Sequence, residues 1–186
     1  MFTNHNMGWP ERVPFRDLFA HYLGLPVAVE MDANAAALGE AWKGHGRGLR
    51  SFAYVIVGTG IGAGLIVDGR VVRGAHSTAG EIGHTVIVPG GPLCGCGKHG
   101  CLEALASGLA VARMAQAALT LGRGTALREA GEPLTAARVA AAARDGDAVA
   151  REVFDTAAYY LGIGIANLIT LIDPEAVILG GGVAQG

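Results

Sequence analysis

Apolar and polar positions along this chain follow two periods, and the switches between them mark its elements. Residues 1–14 read as irregular, punctuated by Pro10 and Pro14. "FRDLFAHYLG" then repeats at helical spacing and stops at Gly24, with Pro14 placed for its first turn. "LPVAVEM" (25–31) is a short apolar run that reads as a strand. At Asp32 the pattern becomes Ala-rich and helical, "DANAAALGEAWKGHG", opened by an acid able to cap and closed on glycine. "SFAYVIVG" (51–58) is wholly apolar, as suits a strand covered on both faces. "GTGIG" turns it, "AGLIV" returns, "DG" at 68–69 signals a two-residue hairpin, and "RVVRG" continues. Residues 84–88 read as β-like and 89–101 as a loop. Helical patterns follow over 102–121, over 135–145 behind Thr135, and over 147–173. Pro174 stops the last of these, and "EAVILGGG" runs as an apolar strand into glycines. This interleaving predicts an α/β fold with β-hairpins rather than a regular βαβ series. No internal repeat is visible.

The bulk properties narrow the function classes. Of the 186 residues 51% are hydrophobic and only 16% charged, so most of the chain should be ordered around a real core. Net charge is −2 with no basic run, which removes the electrostatic footprint of a nucleic-acid or anionic-membrane binder. The longest apolar stretch, "AAYYLGIGIANLITLI" (157–172), is interrupted by glycines and Asn167 and reads as a buried helix, not a membrane span. No signal-like segment opens the sequence, so a cytoplasmic location is expected. Three cysteines, an odd number, argue for metal ligation or free thiols over a disulfide framework.

Those cysteines crowd into "CGCGKHGC" (94–101). His84, Cys94, Cys96 and Cys101 together offer one imidazole and three thiolates, the donor set of a closed structural zinc site. His99 is a competing imidazole, but its place between Cys96 and Cys101 would crowd simultaneous ligation. The plainer alternative is three free thiols in a loop with a histidine nearby.

Gly58-x-Gly60-x-x-Ala63 satisfies a dinucleotide fingerprint, but a hairpin follows where that fingerprint needs a helix. A strand–turn–strand with bare amides at Gly58, Thr59, Gly60 and Gly62 instead suits an anion such as a nucleotide phosphate, or is simply a glycine-rich hairpin. Gly180, Gly181 and Gly182 in "LGGGV" allow close approach of a ligand or of a neighbouring backbone. Asp32 stands where strand gives way to helix, a usual place for a cleft residue; local sequence alone favours a helix cap.

In this order "DANAAALGE", "GTGIGAGL", "AGEIGH", "CGCGKHGCLE" and "ILGGGV" resemble the ROK family of sugar kinases and sugar-responsive repressors, its glucokinase-like members above all. The resemblance implies the actin-like, sugar-kinase ATPase fold (ribonuclease H-like), mostly its large lobe with a zinc-bound loop. Residues 1–35 would be the remnant of a small N-terminal lobe and 36–186 the large lobe, with the zinc loop at 84–101. It implies ATP-dependent phosphorylation of a hexose 6-hydroxyl, glucose first. Asp32 would be the general base and a sugar ligand, and Glu81, His84 and Glu103 would be further contacts to sugar hydroxyls. "GTGIG" would bind phosphate and "LGGGV" the adenosine side, with Mg²⁺ accompanying ATP and a structural Zn²⁺ held by His84 and the three cysteines. A homo-oligomer, dimer or tetramer, is the family's habit. A sugar-sensing module of a repressor, or a kinase for N-acetylglucosamine, N-acetylmannosamine or fructose, remains an alternative.

Two departures bear on activity. Met31 stands where the family usually has an Asn that contacts the sugar, and a thioether makes no strong hydrogen bond. The family's "D-x-G-G-T" phosphate motif does not occur, so the chain resembles a member shortened at both ends, with weak or no turnover expected of it.

Overall fold

The computed structural model describes residues 13–123, 125–128 and 133–185. The irregular opening with Pro10 lies almost wholly outside the described residues. At the centre is a four-stranded mixed sheet in the order β3-β2-β1-β4. β1 (Phe52–Val57) pairs antiparallel with β2 (Ile61–Val67), Phe52 opposite Ile66 and Val57 opposite Ile61. β3 (Arg70–Val71) folds back on β2 through Asp68 and Gly69, whose φ values of 50° and 75° are both positive, as a two-residue type I′ turn demands. β4 (Ala176–Gly180) joins β1 in parallel, Phe52 opposite Ala176 and Ile56 opposite Gly180.

Alternation along β1 explains its unbroken apolar run. Successive side chains point to opposite faces: Ala53, Val55 and Val57 enter the main core, while Phe52 joins Ala37 and Ile66 in a second cluster. Helix α2 (Asp32–Lys43) covers the second face. The main core is closed by α3 (Leu102–Ala106), α4 (Gly108–Thr120), α5 (Ala136–Arg144) and α6 (Ala148–Ile172). Thr135 caps α5 by accepting from the Arg138 N–H, as its place in the sequence suggests. Asp147 caps α6 by accepting from the Ala150 N–H at 2.9 Å. α6 is long and apolar enough to cross a membrane by length and composition alone. It nevertheless presents Val149, Ala150, Val153, Ala157, Gly164 and Leu168 to the core, against α3, α4 and α5.

Several local expectations need correcting. Residues 25–31 run without strand pairing, so "LPVAVEM" supplies an extended lead into α2 and not a strand. Met31, not Asp32, occupies the N-cap of α2, and it offers no side-chain cap; Asp32 is the first helical residue. Pro14 likewise sits at the N-cap of α1 (Phe15–Leu23) and not inside its first turn, although Gly24 ends that helix in the left-handed region as expected. Residues 84–88 contain one isolated bridge, Val86 to Cys101, behind a single 3₁₀ turn at Ile82–His84. The helix expected over 102–121 is two helices, broken at Ser107.

Candidate sugar- and phosphate-binding site

The stretch 80–84 is pressed onto β2 by two glycines. A Cβ on Gly80, whose φ is 91°, would run into the Ala63 carbonyl, and one on Gly83 into the Ile61 carbonyl. Only glycine lets these backbones meet, and the Ala63 N–H donates to the Gly80 carbonyl at 2.8 Å. Ile82 is buried between them, which leaves Glu81 and His84 on the outward side of the turn.

His84 faces two ways. Its Nδ1 lies 3.6 Å from Cys94 Sγ, and its Nε2 lies 3.9 Å from Glu81 Oε2. Behind it, Cys96 and Cys101 hold their sulfurs 3.7 Å apart, and all four donor atoms fall within 4.8 Å of one another. Tetrahedral zinc with Zn–S near 2.3 Å and Zn–N near 2.0–2.1 Å would set S···S edges of about 3.7–3.8 Å and N···S edges of about 3.5–3.6 Å. The two measured edges fit. Without a cation, the crowded thiols at Cys94 and Cys101 hold on to their protons. Burial, then hydrogen bonding to its sulfur neighbours, pushes the Cys101 thiol up to about 12. Burial raises Cys94 too, whereas the Lys98 backbone N–H lowers Cys96. Two thiols that hold their protons at neutral pH become good ligands when a cation displaces those protons. His99 does not join them; its Nδ1 pairs with the Gly91 carbonyl at 3.0 Å.

Glu103 links this cluster to the glycine turn. It stands in the first turn of α3, Oε1 3.9 Å from Cys94 Sγ, while Oε2 accepts from the Ile61 N–H at 3.0 Å. A side chain on Gly60 would collide with that carboxylate. The turn has fewer open amides than its composition suggests. Gly58 N–H goes to the Gly60 carbonyl at 2.9 Å and Ile61 N–H to Glu103, so Thr59 and Gly60 alone keep uncommitted turn amides among the described residues. Gly62 belongs to β2 and lies under α2, where an added Cβ would stand 3.8 Å from that of Ala33. That contact brings the start of α2, and exposed Asp32 beside Ala33, to the same end of β2. Asp32 Oδ1 accepts from the Ala33 N–H at 2.8 Å.

The glycine triplet divides. A Cβ on Gly180 would strike the Tyr54 hydroxyl, and one on Gly181, at φ 95°, the Val57 carbonyl; both residues are glycine for the sake of β1. Gly182 has open space and borders a cavity of about 140 Å³ with Ala136, Ala140, Arg144 and Phe154. Sequence reasoning missed Ser107 and Gly108. Ser107 caps α4, and the Gly108 N–H donates to the Gly58 carbonyl at 2.8 Å, bringing the positive end of a 13-residue helix onto the glycine turn. The signal was a Ser-Gly pair inside an otherwise continuous helical pattern.

A mixed sheet with a glycine turn between its first two strands and helices on both faces is the actin-like ATPase architecture in the form that sugar kinases use. The family model for ROK matches residues 1–186. The chain is 43% identical over 184 residues to the glucokinase of Halalkalibacterium halodurans, covering 97% of this chain and 56% of that one. It is 38% identical over 178 residues to the xylose repressor of Caldicellulosiruptor bescii, covering 94% of this chain and 44% of that one. The structure superposes on a ROK family glucokinase of Streptomyces griseus, solved with glucose and AMPPNP, with a TM-score of 0.86 at 40% identity, over 98% of this chain and 60% of that one. The chain belongs to the ROK family. It spans about half the length of the curated relatives it matches.

Proposed function

We propose that this chain carries the sugar-binding acids and one phosphate-binding turn of an ATP-dependent hexose kinase acting on the 6-hydroxyl, with glucose as the first candidate. One observation carries the reading: Glu103 and the His84–Glu81 pair converge with the Thr59–Gly60 turn and the start of α2 at one end of β2. Phosphoryl transfer asks the protein for positioning and for stabilisation of charge, plus a carboxylate to take the hydroxyl proton. Asp32 is exposed at the first residue of α2 and fills the last role. Glu81 and Glu103 accept from sugar hydroxyls, and His84 Nε2 adds a third contact on the same side. The amides of Thr59 and Gly60 and the α4 N-terminus receive phosphate oxygens, and Mg²⁺ enters with the nucleotide. The adenosine lies beyond Gly182, the one residue of its triplet that is open. Cys94, Cys96, Cys101 and His84 Nδ1 would hold zinc, whose chemistry is structural: it fixes the imidazole's tautomer and direction.

The test is glucose-dependent ADP formation by the 186-residue chain, beside calorimetric binding of glucose, N-acetylglucosamine, N-acetylmannosamine and fructose. The expected result is sugar binding with weak turnover that Asp32→Asn removes. The likeness to a repressor favours a second reading, a sugar-sensing module. Binding with no Asp32-dependent ADP formation would assign that role, and failure to bind any sugar overturns both.

A further inference from the structure

Glu30 immediately precedes Met31, the N-cap of α2, and both of its carboxylate oxygens are committed. Oε1 accepts from Asn34 Nδ2 at 3.0 Å and from the Met31 N–H at 3.2 Å. Oε2 accepts from Arg73 Nε at 2.8 Å and Nη2 at 2.6 Å. Arg73 follows β3, at the root of the loop that delivers Glu81, and its own carbonyl accepts from the Ala79 N–H at 3.1 Å. Two segments remote in sequence, one bearing Asp32 and the other Glu81, are thus tied by a forked ion pair. We propose that Glu30 and Arg73 form a positioning strut that sets Asp32 against the sugar-binding face of Glu81 and His84, an inference resting on the kinase reading above.

Stability does not account for this arrangement. The Arg73 side chain is 51% exposed, and exposed ion pairs contribute little. The geometry is instead that of a fixture: a guanidinium fork meets one oxygen and a buried amide the other. Asn34 is 1% exposed, and its Oδ1 has no hydrogen-bond partner among the described residues, so the hydrogen bonding of its amide rests on Glu30. The cluster of donors also holds the Glu30 carboxyl below the usual glutamate range, the Asn34 bond first and Arg73 after it, so the pair persists at neutral pH. A misplacement of about 1 Å at a reacting group can lower the rate by about 10²-fold. Loss of the strut should therefore appear in kcat before it appears in folding.

The experiment compares wild type, Glu30→Gln, Arg73→Ala and Arg73→Lys by amide hydrogen exchange and by kinetics. Arg73→Ala is expected to speed exchange within residues 30–34, and Glu30→Gln within 72–81, each acting on the other's segment. With glucose as substrate, Arg73→Ala should lower kcat by about 10–100-fold while KM stays within about 3-fold. Arg73→Lys, which keeps the charge and loses the fork, should fall between. Unchanged exchange in the opposite segment, or a kcat within about 2-fold of wild type, overturns the strut. If wild type neither binds nor phosphorylates sugar, the kinase reading fails separately, and the strut as a positioning device falls with it even where exchange still reports the pair.

Discussion

Leu102 offers the cleanest quantitative test of how the site is held. It is fully buried between Cys101 and Glu103, and it packs onto α6 at Gly164. A Cβ at 164 would overlap Leu102 Cδ2 and stand 3.1 Å from Cδ1 and 3.3 Å from Cγ, tighter than packed side chains accept. Leu102→Ala removes a buried isobutyl group and should cost about 3 kcal/mol, within the usual 2–5. That corresponds to a fall in Tm of about 6–12 °C for a chain of this size. Gly164→Ala has two opposed effects: about 1 kcal/mol of helix propensity gained, and about 2 kcal/mol of overpacking against Leu102. Alone it should destabilise by about 1 kcal/mol. In the Leu102→Ala background the clash is gone and the propensity remains, so the same change should stabilise by about 1 kcal/mol. The cycle therefore predicts a coupling of about 2 kcal/mol with a reversal of sign, read by urea unfolding of the four proteins under circular dichroism. Additivity within about 0.5 kcal/mol would refute the close approach of α3 and α6.

Metal analysis of protein purified under reducing conditions should find about one zinc per chain, lost in Cys101→Ser together with thermal stability; metal-free wild type with unchanged Tm would remove the zinc assignment. Burial pushes the Asp147 carboxyl up, but hydrogen bonds from the Ala150 N–H, Thr125 Oγ1 and the Ala126 N–H outweigh it and hold it below the usual aspartate range. A lowered folded-state value gives stability that is complete above the unfolded range and is lost as pH falls through the folded one. Asp147→Ala should thus cost about 1 kcal/mol at pH 7, with the gap to wild type closing in acid; a pH-independent gap would contradict the charge argument. Asp32→Asn should abolish turnover with sugar affinity within a few-fold of wild type, and retained turnover would remove the base. Met31 has an N-cap backbone (φ −63°, ψ 142°) without a capping side chain. Met31→Asn should therefore raise stability by about 0.5–1 kcal/mol and, if it also restores a sugar contact, tighten sugar binding by about 2–12-fold. A lower Tm with unchanged affinity would count against both halves of that prediction.

What could be read in advance depended on whether the determining contacts were local. The turn at Asp68 and Gly69, the cap at Thr135 and the stop at Gly24 are decided within a few residues, and each appears where its sequence places it. The donor set at 84–101 is equally local, and its four atoms do converge. Residues 25–31 carry the same apolar signal as a strand, yet a strand also needs a neighbour to pair with, which no local pattern specifies. Ser107 breaks its helix so that the Gly108 N–H can reach the Gly58 carbonyl, a partner on the far side of the glycine turn. The roles within Gly180–Gly182 stayed ambiguous for the same reason. The close approaches at Gly180 and Gly181 come from Tyr54 and Val57, which reach them only through the parallel pairing of β1 with β4.

Three helix starts meet the glycine turn, and their differences order the proposed reaction along it. α2 begins with Asp32 and α3 has Glu103 in its first turn, so each of those N-termini already has a carboxylate of its own. α4 has no acid in its first turn. Its Gly108 amide goes to Gly58 and its Ala110 amide to Ser107 Oγ, and the Leu109 amide has no partner among the described residues. A helix N-terminus favours negative charge, and α4 supplies none of its own in its first turn. Phosphate beside Asp32 and Glu103 would be repelled, whereas on the proposed reading phosphate over the start of α4 meets no acid of that helix and needs Mg²⁺ to shield its remaining charge. On the proposed reading the sugar would lie between, its hydroxyls on Glu81 and Glu103 and its reacting oxygen toward Asp32. On that reading, acids on two helix starts and their absence from the third would separate the end of the site that accepts from sugar hydroxyls from the end that receives phosphate.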